Sequence, residues 1–127
     1  WRTQELVDSV YRSQYANSID GLSGNEDCGQ MSAWYVLNSM GFYQPCPGKP
    51  IYSIGRPAFD KVVIRLPERK TFTIIAKNNT KTNKYIKSVT LNGQPLTTPF
   101  FEHTDIANGG IMEITMSDKP TKWGKNN

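Results

Sequence analysis

Histidine is nearly missing from this 127-residue chain, which carries His103 alone, and cysteine is scarce, with only Cys28 and Cys46. A lone histidine builds no metal site by itself, and no CxxC or Cys/His cluster points to zinc. Two cysteines are no disulfide framework. A single Cys28–Cys46 bridge is open to the chain only if the segment after the second predicted helix folds back. No apolar run approaches the roughly 18–20 residues of a membrane span. The chain opens on Trp1 without start methionine, signal peptide or anchor, the expectation for a piece of a longer protein whose compartment signal lies elsewhere. Internal repeats and low-complexity tracts are absent too. So is any clustering of bases. The net charge is +4, from 15 Lys+Arg against 11 Asp+Glu, yet Lys61, Arg65, Arg69, Lys70, Lys77, Lys81, Lys84 and Lys87 are interleaved with apolar residues as on the wet face of a sheet. A nucleic-acid surface gathers its bases beside stacking aromatics, so nucleic acid is not an expected partner.

What is present reads as one globular domain's worth of chain. Residues 2–16, RTQELVDSVYRSQYA, place Leu6, Val7, Val10, Tyr11 and Tyr15 at helical spacing. A loop with Asp20-Gly21 and Ser23-Gly24 follows. A second helix is predicted over about 26–40, stopped by Gly41. Its Met31, Ala33, Trp34, Tyr35, Val36 and Leu37 leave almost no polar face, as in a helix built for burial. That is more cover than one partner helix and a small sheet supply, which suggests further protein around it. Trp34 and Tyr35 are accordingly expected in the core.

The rigid segment QPCPGKP, residues 44–50, then separates helical from alternating patterning. Strands are predicted over 61–66, 71–76, 85–91 and 111–116, with a weaker one over 51–54. Asn92-Gly93 signals a turn into another short extended piece. Residues 103–108 suit a single helical turn, and PTKWGKNN reads as a frayed tail. Asn78-Asn79-Thr80 is a glycosylation sequon, meaningful only in a eukaryotic secretory context. Two helices before an antiparallel β unit make an α+β order.

The informative stretch is GNEDCGQ, residues 24–30. Locally, Ser23-x-x-Glu26 matches a capping box, and carboxylates favour the positive end of a helix dipole. Chemistry competes with that reading. Asn25, Glu26 and Asp27 exceed what a cap requires, and Gly29 early in a helix costs about 1 kcal/mol relative to Ala. A glycine there suggests close approach by another backbone or a ligand. Local rules leave both readings open.

Taken with its flanks, the stretch resembles glycoside hydrolase family 92, the calcium-dependent exo-acting α-mannosidases. The likeness runs through GNEDCGQMSAWYVL, MGFY, CPG, IG-x-P-x-FDKV and YIKSVTLNG, and covers essentially the whole chain. The resemblance implies the C-terminal part of a longer enzyme that hydrolyses terminal, often α-1,2-linked, mannose with inversion. Inversion needs a general acid on the leaving oxygen and a general base on water across the ring. By similarity the base falls within Asn25-Glu26-Asp27, with Asp27 the expected residue and helix amides expected to favour its carboxylate form. Some members carry a second acid two positions earlier, where this chain has Asn25. An amide takes no proton but can orient the water. Glu26 with Ser23 is expected to be the structural cap. The general acid and most calcium ligands lie, on this resemblance, outside these residues, so no complete metal site is expected here.

The expected organisation is α+β: residues 1–43 the last helical pair of a catalytic (α/α) barrel, 44–50 a proline-rich connector, and 51–127 an antiparallel β-sandwich-like unit. The resemblance further implies calcium as cofactor, α-mannoside glycans (N-glycan or mannan) and the rest of its own polypeptide as partners, and a bacterial periplasmic, cell-surface or secreted location. It also implies that the chain alone is inactive. The rival reading is a non-catalytic β-sandwich module for carbohydrate binding or domain interaction.

Overall fold

The computed structural model describes residues 1–125. Helix α1 spans Arg2–Ser13 and α2 spans Gln30–Met40. Strand β1 (Phe42–Tyr43) and β2 (Ile51–Ile54) precede β3 (Lys61–Arg65), β4 (Thr71–Lys77), β5 (Tyr85–Leu91), β6 (Gln94–Leu96) and β7 (Phe100–Glu102). A short helix, α3 (His103–Ala107), and β8 (Gly110–Ser117) complete the order. Helix α1 ends earlier than its apolar pattern. Tyr15 leaves it to form an isolated antiparallel bridge with Leu22, closing the loop on which Ala16 N donates to Gly21 O at 2.9 Å.

The second helix begins at Gln30 rather than near Glu26, for a backbone reason. Asp27, Cys28 and Gly29 have φ of 46°, 60° and 89°, three successive left-handed residues that no right-handed helix can include. At the other end Gly41, φ 98°, donates to Asn38 O at 3.0 Å. A Cβ at Gly41 would come within 2.7 Å of Pro57 Cγ, so the turn into β1 packs against that proline.

Two sheets form the β unit. One is three-stranded and antiparallel in the order β1-β2-β7. The other has five strands in the order β3-β4-β8-β5-β6. The expected sandwich-like α+β arrangement is present, but one pairing is not antiparallel: β4 and β8 run parallel from Phe72↔Gly110 to Lys77↔Thr115. Geometry requires this. Strands β4 and β5 run oppositely, so a strand inserted between them must be parallel to one. Period-two alternation sends Phe72, Ile74 and Ala76 inward from β4, and Met112, Ile114 and Met116 from β8. All of these but Ala76 share one core with Phe42, Ile54 and Phe101 of the smaller sheet and Ile106 of α3. Phe101 stacks on Phe72 at 6.2 Å and meets Phe42 edge-on at 5.6 Å. Each such side chain contributes about 1.5–3 kcal/mol on leaving water.

The helices reach this core largely through polar contacts. Buried Gln4 offers Oε1 to Ile86 N at 2.9 Å, beside the irregularity between Ile86 and Ser88 in the β5–β8 ladder. Tyr85 donates to Glu5 at 2.9 Å, and Arg56 pairs with Asp8 at 2.6 Å. The Tyr85 hydrogen bond, followed by that of Arg2, holds the Glu5 carboxyl below its ordinary range. Of the apolar stripe on α1, Leu6 and Val10 remain exposed at 52% and 42%. On α2, Val36 is 54% exposed and Tyr35 36%, so this outer face, expected to be buried, is uncovered by the described residues. Leu37 and Met40 do pack on the core.

The tail corrects another expectation. Trp123 donates Nε1–H to Leu96 O at 2.8 Å and packs against the core, so the segment up to Lys125 is pinned rather than frayed. Asn126 and Asn127 lie outside the described residues. Cys28 and Cys46 are both free thiols at the surface.

If Gln4 joins helix to sheet as described, Gln4→Leu leaves the buried Ile86 N–H without a partner. It should lower unfolding free energy by about 1–3 kcal/mol in urea titration. Gln4→Glu, which keeps an acceptor oxygen, should cost less.

Candidate active-site turn

The two adjacent carboxylates occupy different environments. Glu26 is half-buried and turns onto the helix start, where Oε1 accepts from Ser32 N at 3.0 Å and Oε2 from Ser32 Oγ at 2.9 Å. Ser32 is the third residue of α2, so its amide is among those a right-handed helix leaves open. The cap thus spans six residues. The capping box from Ser23 is not formed, because the three left-handed residues push the helix start downstream of the expected spacing. Ser23 is exposed and takes no part.

Asp27 is exposed, and its carboxylate makes no hydrogen bond among the described residues. Only its main-chain oxygen is engaged, accepting from Gln30 N at 3.3 Å. The helix amide expected to hold Asp27 is taken by Glu26. Asn25, two residues earlier, is also exposed, its side-chain amide without a hydrogen bond among the described residues. Gly29 is expected to admit a neighbouring backbone or ligand; an added Cβ would meet no described atom within 4 Å, so no described backbone approaches it. What demands glycine is its φ of 89°.

Behind the turn stands an aromatic group: Trp34 and Tyr35, expected in the core, instead pair with two tyrosines, and Tyr35 stays 36% exposed. Tyr15 stacks on Trp34 at 5.4 Å, and Tyr11 stacks on Tyr35 at 4.5 Å. The two tyrosines one turn apart on the first helical pattern, facing adjacent aromatics on the second, were the available signal. Tyr15 donates its hydroxyl to Met31 O at 3.3 Å, within the first turn of α2. Burial pushes the Tyr15 phenol up, and the Glu26 charge adds to the effect. The floor beneath the turn is therefore built from both helices.

Calcium requires 6–8 oxygen ligands. Among the described residues no three His, Cys, Asp or Glu side chains gather as a metal centre. Asn25 and Asp27 alone do not complete such a site. His103 is exposed, its Nδ1 3.0 Å from the Tyr52 hydroxyl. Among the described residues no helix is long and apolar enough to cross a membrane.

With this geometry in view, residues 1–118 match the model of the glycosyl hydrolase family 92 catalytic domain. A relative from Arthroderma benhamiae, described as an uncharacterized secreted glycosidase, is 35% identical over 115 residues, 88% of this chain and 15% of its own length. Among solved structures, a family GH92 inverting mannosidase from Bacteroides thetaiotaomicron superposes with a TM-score of 0.91 at 40% identity, covering 99% of this chain and 17% of that one. A GH92 α-mannosidase from the same organism, solved also with mannoimidazole, gives a TM-score of 0.88 at 36% identity over 95% and 16%. The chain thus spans about one-sixth of the length of these relatives.

The division between the carboxylates is measurable. Glu26→Ala should cost about 1 kcal/mol of stability by freeing the Ser32 amide, and Ser32→Ala should cost a similar amount. Asp27→Asn should leave the melting curve within the scatter of the parent. A melt in which Asp27→Asn destabilises as much as Glu26→Ala would contradict the assignment.

Proposed function

The chain belongs to glycosyl hydrolase family 92, and from that premise we propose that it supplies the general base of an inverting exo-α-mannosidase. The observation that supports this is the split just described: Glu26 is committed to the helix, while Asp27 stands beside it with both oxygens available. A general base must be in reach of the proton it removes and free to accept it. Asp27 meets the second condition, and the left-handed turn that lifts it off the helix favours the first.

On this reading Asp27 takes a proton from a water whose oxygen attacks the anomeric carbon of a terminal mannose. The bond from that carbon to the leaving oxygen breaks, and the leaving oxygen receives a proton from a general acid outside this chain. The water between base and sugar sets the two carboxyl groups roughly 6.5–9.5 Å apart. Asn25, through its side-chain amide, orients the water by donating to it or accepting from it. Calcium, expected from the resemblance, would draw most of its ligands from outside this chain.

Terminal α-mannose, with α-1,2 linkage the first to test, is the proposed substrate class. The inverting mannosidase and the mannoimidazole complex among the similar structures support it. The secreted description of the fungal relative supports export, with the periplasm or cell surface as the destination in a bacterial host. The organisation proposed remains a helical pair from a larger (α/α) barrel through residue 43, the 44–50 connector and the β unit after it. The exposed outer faces of α1 and α2 agree with this.

In the longer protein, Asp27→Asn should lower kcat for an α-mannoside by about 10²–10⁴-fold with little change in KM. Asn25→Ala should have a smaller effect on kcat. Wild-type turnover by Asp27→Asn would remove Asp27 from the mechanism. The 127-residue chain alone, holding one member of the acid–base pair, should release no detectable mannose.

A further inference from the structure

A second feature lies away from the carboxylate turn. Between α1, residues 56–60 and residues 79–81 opens a cleft of about 490 Å³, inside the roughly 300–1,000 Å³ range of small-molecule sites. None of its lining residues comes from 22–33. Its contribution from α2 is Asn38, about 12 Å along the helix axis from Gln30. The cleft therefore sits toward the opposite end of α2 from Asp27.

Its base is an ionic group. Arg56 Nη1 donates to Asp8 Oδ1 at 2.6 Å, with both side chains 12% exposed, and Arg12 Nε donates to Asp8 Oδ2 at 3.0 Å. Arg56 Nη2 donates to Thr80 O at 2.9 Å. Asn79 donates its amide to Pro57 O at 3.2 Å. After these bonds two buried atoms are left over, Arg56 Nε and Asn79 Oδ1, neither with a hydrogen-bond partner among the described residues. Both residues line the cleft. Buried polar groups are seldom left this way without a reason.

The leftovers are one donor and one acceptor, and that pairing selects the ligand. An anion would serve Arg56 Nε but be repelled at Asn79 Oδ1 and by Asp8 and Asp60. A cation would do the reverse. Two carboxylates against three cations line the cleft, which gives neither sign a strong preference. A hydroxyl both donates and accepts, and two hydroxyls on neighbouring carbons present an acceptor and a donor side by side. Phe59, also lining the cleft and 58% exposed, offers an aromatic face to the apolar side of a sugar ring.

We infer that this cleft is a second, non-catalytic sugar site that holds one hexose residue through Arg56, Asn79 and Phe59. The choice of mannose as that hexose rests on the reading under Proposed function, but the donor–acceptor match does not. A site of this kind would retain a branched or polymeric glycan while its terminal residue is cut elsewhere.

The test uses the longer protein carrying Asp27→Asn, titrated with methyl α-mannoside by calorimetry and by NMR. Two binding events per chain are expected. Phe59→Ala should weaken one of them tenfold or more while leaving the other and the thermal melt unchanged. Arg56→Lys, which keeps the charge beside Asp8 but removes Nε, should weaken the same event. A single event, parent-like binding by both variants, or a structure of the longer protein with the cleft filled by its own chain would overturn the inference. Retained turnover by Asp27→Asn would defeat the catalytic reading alone, and the binding events would still decide this one.

Discussion

Three consecutive left-handed residues, Asp27, Cys28 and Gly29, are the constraint on which the site depends. Only one of them is glycine, so the other two hold a conformation that costs an L-residue roughly 1–2 kcal/mol. What this secures is a late helix start. Were the helix to run from Glu26, Asp27 would lie in its first turn, competing for open amides. With the start at Gln30, the Glu26 carboxylate folds back over Ser32, while main-chain oxygens of Asp27, Glu26 and Gly29 take the amides of Gln30, Met31 and Ala33. Asp27 is left on the outside of the turn. Strain in the backbone and freedom of one carboxylate are thus two sides of one arrangement.

The turn is kept in place from behind. Tyr15 stacks on Trp34 and donates to Met31 O, which ties the end of the first helical segment to the start of the second. Further along, α1 is locked to the larger sheet through Gln4 and to the Arg56 segment through Asp8. These polar links let a helix with a half-exposed apolar stripe keep its position on the β unit. They also create the cleft in which Arg56 and Asn79 carry unused hydrogen-bonding atoms. The same framework that orients the carboxylate turn at one end of α2 shapes a polar cleft toward the other.

How much of this was legible in the sequence follows from the range of each interaction. Alternation in 71–76, 85–91 and 111–116 marked the central strands, because side-chain period is a local property. Parallel pairing of β4 with β8 was not legible, since it depends on where a distant strand is inserted. Ser23-x-x-Glu26 was a local match that misled: sequence spacing carries the capping residues but not the positive φ values that move the helix start. Trp123 was read as frayed tail because its partner, Leu96 O, is a main-chain atom with no sequence signature. Asp27 itself was singled out by family resemblance. Local rules left both readings open, and the fold adds that Glu26 caps through Ser32 rather than with Ser23.

The central claim is that Asp27, and not Glu26, faces the water that attacks the sugar. It is tested most directly by a crystal structure of the longer protein with mannoimidazole bound, read for the contacts of these two carboxylates. The account predicts an ordered water within about 2.6–3.2 Å of an Asp27 oxygen, on the face of the ring opposite the leaving group, with Glu26 still on Ser32. An Asp27 carboxylate turned onto backbone amides, or Glu26 holding that water in its place, would contradict it.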